Sequence, residues 1–249
     1  MTTFVTWLFD PNKTNAWTIG QFYGYKPFWV DRLYRGIKRN FKEDFELVCM
    51  VDDDYPFEEP IRAVKFVDPV QGQGMLPMLE AWRPDITTNR RVSFGLDTII
   101  TGDITDIATH PVLFAGIHPR EKSRLQNYVT SCSYEGAGVI WNGWKRLENE
   151  IRDNFEKVVL PKRKQNANHL RRRGVLLNEE NVINYVLGDT QGMLGLNHLF
   201  PGRMLKYGRD VHKNPQYLPE GVSIVYFHGN PKPSRIKHPK AQQLLQHWV

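Results

Sequence analysis

A single carboxylate, Asp97, stands inside the apolar run Val92-Ser93-Phe94-Gly95-Leu96-Asp97-Thr98-Ile99-Ile100. A second apolar run, residues 222–227, ends in His228-Gly229-Asn230-Pro231-Lys232-Pro233. Carboxylate and imidazole are ligands for a divalent cation, and a lysine held beside them neutralises phosphate. Those are the groups that a diphosphate carried on a metal ion needs. A carboxylate in an apolar strand is costly unless paired or coordinated, so Asp97 reads either as half of a structural salt bridge or as a ligand. Gly229 permits a positive φ and two prolines stiffen the loop, which keeps Lys232 near His228. A lysine so placed stabilises charge on a departing diphosphate.

These groups need strands to carry them. Residues 4–9 read as a buried first strand, followed by the polar stretch Asp10-Pro11-Asn12-Lys13-Thr14-Asn15. Ligands of open α/β sheets sit at the carboxyl ends of the strands, so Asp10 and Lys13 are either a wall of a nucleotide site or parts of an ordinary turn. Pro27 opens a helix whose apolar stripe is Val30, Leu33, Ile37 and Phe41. Residues 45–51 form the next strand and end in Asp52-Asp53-Asp54, acids that cap a turn, face water or touch a ligand. Residues 61–67 are read as a third strand, 75–82 as helical, and 92–100 as one strand. This alternation predicts βαβ units and a largely parallel sheet.

Beyond Gly102-Asp103 the pattern weakens. Residues 128–141 read as one or two strands broken by Glu135-Gly136-Ala137-Gly138, with the small residues forming a bulge or admitting a ligand. Trp141, Trp144, Leu147, Ile151 and Phe155 form a helical stripe. Asn178-Glu179-Glu180 resembles a helix start over a buried face of Val182, Ile183, Val186 and Leu187. Residues 203–207 and 222–227 read as strands, and a short helix closes the chain around 241–248.

With 249 residues, 41% apolar and 24% charged, the chain has ordinary globular composition and room for a sizeable core. Its two cysteines, Cys49 and Cys132, lie in apolar contexts and read as buried free thiols, and without a CxxC pair a structural zinc site is not expected. No apolar stretch nears the ~18 residues of a membrane span. Met1-Thr2-Thr3-Phe4 has no signal-peptide pattern, so a cytoplasmic protein is expected. The net charge of +6 comes from 33 basic and 27 acidic residues. Lys162, Arg163, Lys164, Arg171, Arg172 and Arg173, with no acid among them, equal that whole excess. The basicity is therefore local: a solvated loop, or a contact for a polyanion.

The two opening stretches resemble the donor site of GT-A-type glycosyltransferases, which take a sugar from a nucleotide diphosphate, usually with manganese. His228 to Pro233 is similar to the C-terminal His-Gly-x-x-Lys-Pro motif of the glycogenin/galactosyltransferase-like group. Leu96 to Asp103 looks like that group's strand carrying Asp-x-Asp, followed by a Thr-Gly-Asp turn. The resemblance runs in order over most of the chain, and only these two motifs are specific. It implies an α/β GT-A fold in one domain, with a central, mostly parallel twisted sheet flanked by helices. Residues 1–105 would be the nucleotide-sugar-binding half and 106–249 the acceptor half. It implies Asp97 and His228 as ligands of Mn2+ or Mg2+, Gly229 and Lys232 at the diphosphate, and Asp52 and Asp53 near the nucleoside. Glu180-Asn181 falls where the group has an acid-Gln pair, close to the sugar or the acceptor hydroxyl. Helix-end electrostatics is the other role for Glu180.

Two departures stand out. Gly95 occupies the place of the first acid of Asp-x-Asp, which implies weaker metal binding, substitution by an acid such as Asp103, or metal independence. Gly136-Ala137-Gly138-Val139 lacks the Asn that begins the family's Asn-Ala-Gly-Val. The implied activity is transfer of a hexosyl or pentosyl group, with a UDP-sugar favoured, to a hydroxyl, with retention of configuration. One acceptor is a hydroxymethylated base in DNA, which bacteriophage enzymes of this general fold class modify; the basic segment would contact its phosphates. Another is a lipopolysaccharide or capsule glycan. A non-catalytic nucleotide-sugar or nucleic-acid binding protein is the reading of a different class. A sugar nucleotidyltransferase is disfavoured because residues 6–15 contain no glycine for a phosphate loop.

Overall fold

A computed structural model describes residues 1–10, 24–67, 76–117, 126–154, 179–187, 194–212, 218–227, 231–237 and 241–249. The first strand, β1 (Thr2–Leu8), is buried along its whole length. Its side chains alternate between two cores, as a pleated strand requires. Phe4 and Leu8 enter one apolar cluster, while Val5 and Trp7, with Phe9 beyond the strand, enter another. In the next strand, β2 (Phe45–Val51), Leu47, Cys49 and Val51 face the first cluster and Val48 and Met50 the second. Burial on both faces is why these strands read as continuous apolar runs. The stripe of α1 (Pro27–Asn40) covers one face with Trp29, Val30, Leu33 and Ile37. A 3-10 helix, Leu76–Trp82, covers the other with Met78 and Ala81.

β3 (Ile61–Lys65) and β4 (Arg90–Phe94) extend this sheet, followed by β5 (Thr98–Ile100), α2 (Thr105–Thr109), β6 (Phe114–Ile117) and β7 (Gln126–Cys132). Then come α3 (Tyr134–Asn154), α4 (Glu179–Leu187), β8 (Leu194–Gly195), α5 (Leu196–Leu199), β9 (Met204–Lys206), β10 (Ile224–Tyr226) and α6 (Gln242–Leu245). The main sheet has seven strands in the order β3-β2-β1-β4-β7-β6-β8. The β1–β2, β2–β3, β1–β4 and β6–β8 pairs are parallel; β4–β7 and β6–β7 are antiparallel. The chain thus builds outward from β1 to one side, then crosses to β4 on the other. Ligand crevices of α/β folds form at such a switch point.

The expected single strand over 92–100 is two strands in two sheets. β4 stays in the main sheet, and after Gly95-Leu96-Asp97 the chain enters β5, which pairs antiparallel with β10. β10 also pairs parallel with β9, completing a three-stranded sheet. Continuous apolarity hid the break because both strands are buried.

The second difference is the start of α3. Residues 134–141 are helical where the glycines suggested a broken strand. Ser133 supplies the cap, its hydroxyl accepting from Gly136 N at 3.1 Å. Gly136 is required by packing: a Cβ there would lie 2.1 Å from the Leu113 carbonyl oxygen. Gly143 likewise faces Val186 of α4, where a Cβ would lie 2.4 Å from its Cγ1. α3 and α4 close over the 3-10 helix in a third cluster that includes Trp82, Trp144, Val182 and Ile183. The cysteines are free and buried, and burial pushes the Cys132 thiol up to about 12.

Candidate functional site

Three parallel strands, β2, β1 and β4, release their chains at one edge of the sheet. Register places Ser93 beside Val5 and Val51 beside Leu8. Asp97, Asp10 and Asp52 therefore all follow the carboxyl ends of neighbouring strands. The Thr6 hydroxyl donates to the Phe94 carbonyl at 2.8 Å and fixes the end of β4 to β1. The chain then turns, with Thr98 N donating to Gly95 O at 3.0 Å. Phe227 N, just past β10, donates to Asp97 O at 3.2 Å. Asp97 is thus held by both sheets at the point where they meet.

Its side chain is buried, and so is its partner. Lys232 Nζ donates to Asp97 Oδ2 in a direct ion pair, with the residues 4% and 5% exposed respectively. The Tyr25 hydroxyl donates to the same oxygen at 3.2 Å. Tyr25 in turn packs edge-on against Trp29 of α1, 4.9 Å between ring centroids. Lys232 is fixed through its backbone: it precedes a 3-10 turn, Pro233–Arg235, and its carbonyl accepts from Arg235 N at 2.8 Å. The salt-bridge and the ligand readings of Asp97 meet here, because its salt-bridge partner is the lysine assigned to phosphate.

Asp10 and Asp52 are joined as well. Asp10 N donates to Asp52 Oδ2 at 3.2 Å, and the Tyr55 hydroxyl donates to Asp52 Oδ1 at 2.7 Å. Burial first, then the bond to Asp52, pushes the Tyr55 hydroxyl well above the usual phenol range. Asp53 is exposed and accepts from Asp54 N at 2.9 Å, the geometry of a turn. Sequence reasoning missed Tyr25 and Tyr55; nothing local separates them from other tyrosines flanking loops.

Glu180 is half-buried at the start of α4, whose packing partners are α3, the 3-10 helix and β7. Its carbonyl accepts from Asn184 Nδ2 at 2.6 Å. The Asn181 backbone lies in the same helix, and its side chain lies outside the described residues. Lys13, His228 and Gly229 lie outside them too, as do Lys162, Arg163, Lys164, Arg171, Arg172 and Arg173.

Asp103 does not replace the missing acid at Gly95. β5 separates it from Asp97, and a strand rises about 3.3 Å per residue. Its carboxylate pairs with Lys42 Nζ at 2.5 Å, and Asp103 Oδ1 accepts from Thr105 N at 2.9 Å. The Lys42 ammonium and then the Thr105 amide hold it well below the usual carboxylate range. It lines a groove with Lys42, Thr101, Arg203 and Ser223.

A divalent metal does not fit Asp97 as it stands. Among the described residues, no three His, Cys, Asp or Glu side chains gather as ligands. The carboxylate oxygen already carries the Lys232 ammonium. A dication about 4 Å from that ammonium would meet repulsion of roughly 8 kcal/mol at an effective dielectric of about 20, twice the value for unit charges.

No family model matches the sequence, and no curated protein does. Solved structures do match. The glycosyltransferase GlyE of Streptococcus pneumoniae TIGR4 aligns over 99% of this chain with a TM-score of 0.57 and 12% identity. The chain spans 60% of the length of GlyE. An active-site mutant of LgtC aligns over 98% of this chain and 94% of its own, with a TM-score of 0.55 and 9% identity. The galactosyltransferase LgtC in complex with donor and acceptor sugar analogs gives a TM-score of 0.54 at 8% identity, over 98% of this chain and 94% of its own. The expected architecture is borne out: this chain has the α/β fold of the GT-A glycosyltransferases, with a central, mostly parallel sheet flanked by helices.

Proposed function

We propose that the protein transfers a glycosyl group from a nucleoside-diphosphate sugar, UDP-linked in the favoured case, to a hydroxyl acceptor. The observation that carries this reading is the buried Lys232–Asp97 pair at the carboxyl edge of a GT-A sheet, at its switch point. In the reaction the acceptor oxygen bonds to the anomeric carbon. The bond from that carbon to the diphosphate oxygen breaks, and its electron pair leaves on the diphosphate. The acceptor proton passes to a base or to the departing phosphate. Lys232 counters the charge that develops there, and Asp97 orients it. Asp10, Lys13, Asp52 and Asp53 form the nucleoside side of the site, His228 and Gly229 the diphosphate side, and Glu180 and Asn181 the acceptor side. Manganese or magnesium on Asp97 and His228, implied by the family resemblance, has no step in this reading because the described residues do not fit it.

Two acceptors follow from separate observations. A sugar hydroxyl is supported by the structural likeness to LgtC, solved with an acceptor sugar analog. A hydroxymethylated base in DNA is supported by the six basic residues between Lys162 and Arg173. Product release with a UDP-sugar donor, measured with a galactoside or with hydroxymethylated DNA added, separates them. Stimulation by the galactoside alone supports the glycan acceptor, and salt-sensitive stimulation by DNA alone supports the base. A protein that binds the donor yet never releases nucleoside diphosphate is a binding module, and the transferase reading falls. Among the described residues, no helix is long and apolar enough to cross a membrane.

A further inference from the structure

A carboxylate and an ammonium buried together cost several kcal/mol each in lost hydration, and a well-packed apolar pair would serve stability as well. The Lys232–Asp97 pair therefore asks for a reason beyond holding the fold. Its surroundings supply one. Asp97 lies at the meeting point of the two sheets, its backbone bonded to Phe227 and its carboxylate to Tyr25 and Lys232. Lys232 is stiffened between Pro231 and Pro233, the latter buried in the turn that follows. An ammonium has three N–H donors, and Asp97 accepts one.

Where an Asp-x-Asp site would offer two acids to a metal ion, this chain has Gly95 and Asp97. Removing one acid lowers the negative charge at the corner from two to one, which a single ammonium balances and a dication would overshoot. Charge count and contact agree. We infer that Lys232 takes the place of the divalent cation: its ammonium, seated on Asp97, holds the diphosphate of the ligand directly, and the site works without metal. This rests on the reading of the site as one for a nucleoside diphosphate. Asp97 is then a positioning residue that acts through Lys232, and Tyr25 steadies the oxygen that both share.

The test is binding of UDP and GDP to the full chain by titration calorimetry, in EDTA and in Mn2+, together with Mn2+ uptake followed by electron paramagnetic resonance. For the unaltered protein we expect affinities equal within about twofold in the two conditions, and no nucleotide-dependent Mn2+ signal. Lys232→Gln, which empties the cation position, is expected to bind at least tenfold more weakly in EDTA. It should regain part of that loss in Mn2+, with an Mn2+ signal that Asp97→Asn added to it removes. A merely structural lysine would not give that gain, and Lys232→Arg, which keeps the charge, is expected to retain metal-free binding. If the unaltered protein binds nucleotide only with Mn2+, the inference is overturned while the donor reading stands. If neither nucleotide binds under either condition, both fall. A melting curve for each variant establishes that it is folded.

Discussion

Lys232 and Asp97 are 135 positions apart, and they close the gap between the main sheet and the C-terminal loop as a buried ion pair. Asp97 follows the break between β4 and β5, and Lys232 follows β10, which pairs with β5. The same contact that locks the two sheets also sets the charge of the candidate site.

Removing one partner leaves a buried charge unpaired. Asp97→Asn or Lys232→Met alone should destabilise the fold by about 3–5 kcal/mol in urea denaturation. The double substitution should recover most of that loss while nucleotide binding stays lost. Additive losses in the double variant would show that the two side chains do not interact.

Tyr25→Phe removes one hydrogen bond to Asp97 Oδ2 and keeps the ring packing on Trp29. A stability loss of about 1 kcal/mol is expected, with UDP binding weakened a few-fold. Unchanged binding would exclude Tyr25 from the site.

Glu179 carries a pH dependence. It is buried at the start of α4, Oε2 has no hydrogen-bond partner, and burial, then Glu180, pushes its carboxyl up to about 8 from 4.5. The folded state therefore keeps a proton that the unfolded chain has lost between those values. Its contribution is complete below about pH 4.5 and is lost as pH rises through about 8. Glu179→Gln should flatten this slope and raise stability at pH 8 by a few kcal/mol, on the order set by linkage. An unchanged slope between pH 5 and 8 in thermal melts would contradict the assignment.

The helix α3 tests how glycine was used. Gly136→Ala drives a Cβ against the Leu113 carbonyl and should cost about 3 kcal/mol. Gly138→Ala, with nothing within 4 Å, should stabilise by about 0.5–1 kcal/mol. Equal effects at the two positions would mean that Gly136 is not in close contact.

Much of the nucleotide-side sheet was legible because its elements carry clean local signals. The stripe of α1 and the apolar run of β2 match their observed spans. The break after Phe94 was not legible, since β4 and β5 are both apolar and buried. The start of α3 was hidden because glycine argues locally against helix, whereas tertiary packing against Leu113 demands it. Asp97 and Lys232 were each conspicuous as residues. Their pairing was not, because no local pattern encodes a contact between loops so far apart in sequence.

The most direct measurement is release of nucleoside diphosphate from a panel of UDP- and GDP-sugars by the full chain, with Lys232→Gln as its control. The account predicts release from at least one donor, a loss of about a hundredfold or more in the variant, on the scale of one lost electrostatic contact to developing charge, and a circular-dichroism spectrum that is unchanged. Binding of a donor without release, or release that survives Lys232→Gln, would contradict it.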